Sequence, residues 1–225
     1  MSDEQQFTCT IEAIESVTHD VRRLVVTKPD GYAFEPGQAT EAVVDKDGWR
    51  DEGRPFTFTS LPVDPRLEFT IKIYPDHDGV TEQIGQLRVG DALRIGEAWG
   101  AIQYKGPGTF IAGGAGVTPF IAILRQLEAD DRLADNQLLF SNKTADDIIL
   151  EGEFRRMLGN AAVCTLTREQ NDRYAHGRIN RDFIRRHVDD FDRPFYVCGP
   201  PEMVEQVTET LEDLGAKSEG IVIEE

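Results

Sequence analysis

Cysteine is scarce: Cys9, Cys164 and Cys198 are the only three in 225 residues. They are too widely spaced, and odd in number, to form a disulfide framework, a zinc site or an iron–sulfur set. Lysine is scarce too, with 6 against 18 arginines, and 41 acidic residues leave a net charge of −17. That balance argues against a phosphate-tracking nucleic-acid surface, so any bound phosphate must be met by a local basic pocket. No apolar run approaches the roughly 18–20 residues of a membrane span. The opening Met1-Ser2-Asp3-Glu4-Gln5-Gln6 lacks the basic region and apolar core of a signal peptide. A cytoplasmic protein with no membrane or nucleic-acid partner is expected. His19, His77, His176 and His187 are scattered without ligand spacing, and no metal is expected.

Apolar residues make up 40% of the chain, enough for one large core or two small ones. Up to about Gly100 the pattern is of short strands broken by turn residues: 7–16, 21–28, 38–45, 54–59, 67–74 and 92–99. In Leu67-Glu68-Phe69-Thr70-Ile71-Lys72-Ile73-Tyr74 the alternation is nearly strict, with Leu67, Phe69, Ile71 and Ile73 on one face. Six such segments imply an antiparallel barrel or sandwich. After Lys105-Gly106-Pro107-Gly108 the period changes. Apolar strands at 109–112, 137–141, 161–167, 195–198 and 220–223 alternate with helical segments at 119–129, 151–158, 181–188 and 201–214. This implies a five-stranded parallel sheet covered on both faces. The expected organisation is an N-terminal β domain over 1–104 and a C-terminal α/β domain over 105–225.

The first strand of the second half runs into Gly113-Gly114-Ala115-Gly116-Val117-Thr118-Pro119 and then an apolar helix. Glycines permit a tight turn and close approach of backbone to a ligand, Thr118 suits an N-cap, and Pro119 suits a first helical position. The free N–H groups and the positive end of the helix dipole favour a diphosphate. No Lys-Ser/Thr follows, which disfavours nucleoside triphosphate hydrolysis. Arg54-Pro55-Phe56-Thr57-Phe58-Thr59-Ser60 places a cation, aromatics and hydroxyls on one strand and its exit. Taken alone, it is an ordinary barrel strand with a surface arginine.

Together with the glycine loop and the later Tyr196-Val197-Cys198-Gly199-Pro200-Pro201-Glu202-Met203, that strand resembles the ferredoxin–NADP reductase superfamily, most closely its compact bacterial flavodoxin/ferredoxin reductase type. The resemblance runs over almost the whole chain and implies an FAD-binding antiparallel barrel (FMN being the less expected flavin) followed by an NAD(P)-binding α/β domain. In the family's R-x-Y-[ST]-x-x-S strand the arginine pairs with the flavin diphosphate, the aromatic packs on the isoalloxazine and the small hydroxyl reaches N5. Those roles fall on Arg54, Phe56 and Thr57, with Thr59 and Ser60 completing the strand. Phe56 stands in place of tyrosine, keeping the stacking face and losing a phenol. The resemblance adds Ile71, Ile73 and Tyr74 to the cofactor contacts and makes Gly79-Val80-Thr81 a second diphosphate clamp. Phe34-Glu35-Pro36-Gly37-Gln38 resembles a turn common in such barrels.

In the second domain the resemblance gives Gly113, Gly114, Gly116, Val117, Thr118 and Pro119 to the nucleotide diphosphate, and Cys198, Gly199 and Pro200 to the nicotinamide pocket. Cys198 is there a positioning residue beside the hydride-donating carbon, and Glu224 matches an acid that assists at the flavin. Thr57, Cys198 and Glu224 are thus the expected catalytic set. Thr167-Arg168 resembles the Ser/Thr–Arg pair that grips a 2′-phosphate, with Arg173 or Arg178 adding to it; NADPH is favoured over NADH. The implied activity is hydride transfer from NAD(P)H to flavin, followed by single-electron delivery to ferredoxin or flavodoxin by a monomeric enzyme. Two other readings stay open: a free-flavin or ferric-chelate reductase, and an electron-transfer subunit docked on another catalytic chain.

Overall fold

The computed structural model describes residues 6–100 and 102–223. The chain divides into two compact units, Met1–Ala101 and Ile102–Glu225.

The N-terminal unit is built from β1 (Phe7–Ser16), β2 (Val21–Thr27), β3 (Ala39–Val44), β4 (Arg54–Thr57), β5 (Arg66–Lys72), the short helix α1 (Val80–Gly85) and β6 (Ala92–Trp99). Its strands form one antiparallel sheet in the order β4-β3-β6-β1-β2-β5. Just past β4, an antiparallel bridge from Phe58 to Phe69 brings the two edges together, and Thr59 N–H donates to the Glu68 carbonyl at 2.8 Å. The near-closed barrel thereby covers edges that would otherwise stand open to pairing with another chain.

Leu67, Phe69 and Ile71 of β5 enter the barrel core with Phe58 and Phe34, the last two stacked at 4.3 Å. Each such side chain contributes about 1.5–3 kcal/mol on burial. The polar face of β5 is not left to water: Glu68 and Thr70 are buried as well. The Glu68 carboxylate accepts from Arg23 Nε at 2.7 Å and from Thr59 Oγ1 at 3.0 Å, and Thr59 Oγ1 lies 3.2 Å from Thr70 Oγ1. Pairing and hydrogen bonding are what make a buried carboxylate tolerable.

The C-terminal unit comprises β7 (Thr109–Gly113), α2 (Thr118–Ala129), β8 (Gln137–Asn142), α3 (Glu151–Leu158), β9 (Ala162–Leu166), β10 (Ala175–His176), α4 (Arg181–His187), β11 (Phe195–Cys198), α5 (Pro201–Asp213) and β12 (Ile221–Ile223). All strands are parallel, in the order β10-β9-β8-β7-β11-β12. The sheet has six strands, not the five expected from sequence. The additional one, β10, pairs only Ala175 and His176 with Thr165 and Leu166 and is too short to show a period. On one face Ile111, Leu139 and Val197 pack with Phe183 and Ile184 of α4 and Leu211 of α5. Elsewhere in the unit Phe110 meets Phe120 of α2 at 5.0 Å, and Phe140 meets Phe154 of α3 at 6.2 Å. Cover from helices explains why the strands read as continuous apolar runs. Among the described residues no helix is long and apolar enough to cross a membrane.

Candidate functional site

The order of the parallel sheet reverses at β7: β8, β9 and β10 extend to one side, β11 and β12 to the other. Open α/β sheets bind ligands at such a switch point, outside the carboxyl ends of the strands. Here β7 ends in Gly113 and β11 ends in Cys198, with Ala112 and Cys198 in register.

The glycines of this loop do two different jobs. A Cβ on Gly116 would lie 2.5 Å from the carbonyl carbon and oxygen of Cys198, and one on Gly113 would run into Met203 and sit 2.9 Å from Pro200 Cδ. Gly116 therefore lets the β7 and β11 loops pack backbone against backbone, and Gly113 makes room for the Met203 and Pro200 side chains. Only Gly114 has open space where its Cβ would be, and its φ of +52° is the left-handed conformation glycine tolerates. Residues Gly114–Val117 form a 3-10 turn that leads into α2 without a side-chain cap. Thr118 is consequently not the N-cap expected of it. It is already helical, and its Oγ1 donates backward to the Ala115 carbonyl at 3.0 Å. The leading N–H groups belong to the glycine turn instead. Val117 and Pro119 are buried beneath it. Cys198 is buried at the strand end, and Gly199 and Pro200 carry the chain into α5, with the Pro200 carbonyl accepting from Met203 N–H at 2.9 Å.

Along the same edge, three cations leave the ends of three neighbouring strands. Lys143 follows β8 and its carbonyl accepts from Arg168 N–H at 2.9 Å; Arg168 follows Thr167, whose N–H donates to Asn142 O at 2.9 Å. Arg178 follows Gly177, whose N–H donates to Leu166 O at 2.8 Å. Lys143 and Arg168 are exposed. Arg173 is already paired. It precedes β10, its Nη2 lies 3.0 Å from Glu151 Oε1, and its guanidinium sits 5.1 Å from the Tyr174 ring. Burial disfavours the Glu151 charge, but hydrogen bonds from Arg155 and Tyr174 and the charges of Arg173 and Arg155 outweigh it, holding the carboxyl below its ordinary range. Sequence reasoning missed Lys143. Its signal is the register of β8 against β9, which an isolated lysine does not display.

In the N-terminal unit Arg54 is exposed at the start of β4, and its only side-chain hydrogen bond among the described residues goes to Gly53 O at 2.6 Å. Phe56 is half-buried against the barrel core, while Thr57 is buried. Thr59 belongs to the Glu68 and Thr70 network, and Ser60 Oγ accepts from Glu68 N–H at 3.0 Å. Ile71 is in the core, Ile73 packs against it, and Tyr74 is 43% exposed with an edge contact to His77. Only Tyr74 of these three offers a largely accessible side chain. Gly79 is extended and precedes α1, so Val80 and Thr81 head the helix, where N–H groups lack intrahelical acceptors. Val80 buries its side chain. The Phe34–Gln38 turn is closed by Gln38 N–H donating to Glu35 O at 3.1 Å. Glu224 lies outside the described residues.

Residues 110–209 match the oxidoreductase NAD-binding domain family. The chain is 27% identical to the reductase component of propane 2-monooxygenase from Rhodococcus jostii (strain RHA1), over 94% of its own length and 61% of the relative's. It is also 27% identical to the ferredoxin–NAD(P)(+) reductase component of the naphthalene 1,2-dioxygenase system of Pseudomonas putida, over 94% and 66%. The chain thus spans less than two thirds of these curated relatives. A solved ferredoxin NADP+ reductase from Neisseria gonorrhoeae superposes with a TM-score of 0.81 at 20% identity, covering 95% of this chain and 93% of that one. With an antiparallel barrel followed by a parallel sheet, an NAD-binding domain match over 110–209 and relatives of this kind over nearly its full length, the chain has the two-domain fold of ferredoxin–NADP reductases and resembles that superfamily.

Proposed function

We propose that the chain is the flavin- and nicotinamide-binding part of an electron-transfer reductase, drawing hydride from NAD(P)H, with NADPH preferred, and delivering single electrons to a soluble carrier such as ferredoxin or flavodoxin. The observation that carries this reading is the switch point between β7 and β11, where the open Gly114 turn adjoins Cys198 at one sheet edge. The residues fit the groups: Gly114 leaves room for a phosphate against backbone N–H groups, and Arg54 has no carboxylate partner among the described residues.

FAD, when bound, supplies the conversion between two-electron and one-electron chemistry. The protein's part is binding and alignment. Arg54 and the N–H groups of Val80 and Thr81 hold the flavin diphosphate, Phe56 packs on the ring, and Thr57 donates a hydrogen bond at its reactive edge. The 114–116 turn holds the nucleotide diphosphate. Cys198 packs beside the nicotinamide and fixes its approach, a contribution of orientation and not of nucleophilicity. Lys143, Arg168 and Arg178 grip the 2′-phosphate.

A second reading is a reductase subunit serving a larger catalytic chain. It is favoured by the two relatives above, which are named as the reductase components of propane 2-monooxygenase and of a naphthalene 1,2-dioxygenase system. Anaerobic stopped-flow mixing of the purified protein with NADPH and then NADH, following the visible flavin band, tests the principal reading. Bleaching faster with NADPH is expected. A colourless protein that retains neither added FAD nor FMN, and reduces neither, overturns it. Co-purification with an oxygenase chain would select the second reading.

A further inference from the structure

The row of cations at the ends of β8, β9 and β10 is not electrostatically uniform. Lys143 and Arg168 have no carboxylate partner among the described residues, whereas Arg178 Nη1 lies 3.3 Å from Glu202 Oε1. Glu202 is in the first turn of α5, two residues beyond the Cys198-Gly199-Pro200 segment. The two side chains are 70% and 72% exposed, and the same Glu202 oxygen accepts from Gln206 Nε2 at 3.2 Å. An exposed pair of this kind is weak and readily exchanged. We propose that Glu202 masks Arg178 in the nucleotide-free protein, and that exchanging this carboxylate for a phosphate sets how strongly a 2′-phosphorylated nucleotide is preferred over its unphosphorylated counterpart.

The inference rests on the nucleotide reading above and adds a residue that works against it. A phosphate outcompetes a carboxylate for a guanidinium through its greater charge and its bidentate geometry. It must nevertheless displace Glu202, and the displaced carboxylate stays nearby as a like charge. A nucleotide with a bare ribose hydroxyl makes no such exchange and leaves the pair in place. Glu202 therefore narrows the gap between the two classes of nucleotide, acting on the phosphorylated one alone.

The test is calorimetric titration of the full chain with 2′,5′-ADP and with 5′-ADP, for the native protein, Glu202→Gln, Arg178→Ala and the double variant. Glu202→Gln is expected to tighten 2′,5′-ADP by about two- to five-fold, to leave 5′-ADP unchanged, and to lose its gain when Arg178 is also removed. An acid in the first turn of α5 also favours the helix dipole. Glu202→Asp, which keeps the charge but shortens the reach, gives the same direction of change should the glutamine variant fold poorly. Equal tightening of both nucleotides, a gain that survives Arg178→Ala, or no gain at all overturns the mask. If the native protein binds neither nucleotide, the nucleotide reading itself falls and takes the mask with it. Binding of 5′-ADP by a protein indifferent to Glu202→Gln removes the mask alone.

Discussion

A single methyl group on Gly116 should cost this protein more than its size suggests. Its carbon would lie 2.5 Å from the Cys198 carbonyl carbon and oxygen and 2.6 Å from Gly199 Cα, all backbone atoms that no rotamer change can move. Restoring ordinary contact at 3.4 Å requires about 0.9 Å of retreat between the β7 and β11 loops. Forced overpacking of this sort costs about 1–3 kcal/mol. Because the retreat moves Cys198 and Gly199, a misplacement near 1 Å would also slow hydride transfer by about 100-fold. Gly114→Ala is the matched comparison. Nothing lies within 4 Å of its added carbon, but φ is +52°, so the cost is about 1–2 kcal/mol of backbone strain with no displacement of the β11 loop. Urea denaturation and single-turnover flavin bleaching, measured on both variants, separate the two effects. A Gly116→Ala protein with native stability and native bleaching rate would refute the backbone-packing account of this glycine.

Three other outcomes are expected. Arg168→Ala should weaken NADPH by about 10-fold or more while sparing NADH, and Lys143→Ala should do the same to a lesser degree; steady-state kcat/KM for the two donors is the check, and equal losses contradict the cation row. Cys198→Ala should slow bleaching and leave bound flavin unchanged, as read from the absorbance of the purified variant; loss of flavin would remove Cys198 from its positioning role. Glu151 has a folded pKa below its ordinary 4.5, so its stabilising contribution is complete above that value and is lost as pH falls through the folded pKa. Urea midpoints should fall on acidification below about pH 4.5 in the native protein, and the Glu151→Gln variant should show less of that fall.

The parts of the fold that repeat a period over several residues were legible from sequence. The change from alternating strands to apolar strands interleaved with helices marks the passage from barrel to parallel sheet, and α3 spans the expected Glu151–Leu158. β10 was not legible, because two residues carry no period and only their pairing with Thr165 and Leu166 defines them. The Thr118 cap was misread for a local reason: the glycine turn starts the helical path four residues earlier, so the threonine hydroxyl turns back to Ala115. The purpose of Gly113 and Gly116 was hidden for a distant one, since their close neighbours are Met203, Pro200 and Cys198 on another strand and helix. The burial of Glu68 likewise depends on Arg23 of β2 and Thr59 beyond β4, partners that alternation within β5 cannot reveal.

The most direct test follows one turnover under saturating reduced nucleotide carrying deuterium at C4, in the transferred position, and compares it with the protiated form. The proposed direct passage of hydride from bound nucleotide to bound flavin predicts that deuterium slows the loss of flavin colour. A rate that ignores the label in both prochiral positions, or a protein with no flavin to lose colour, contradicts it.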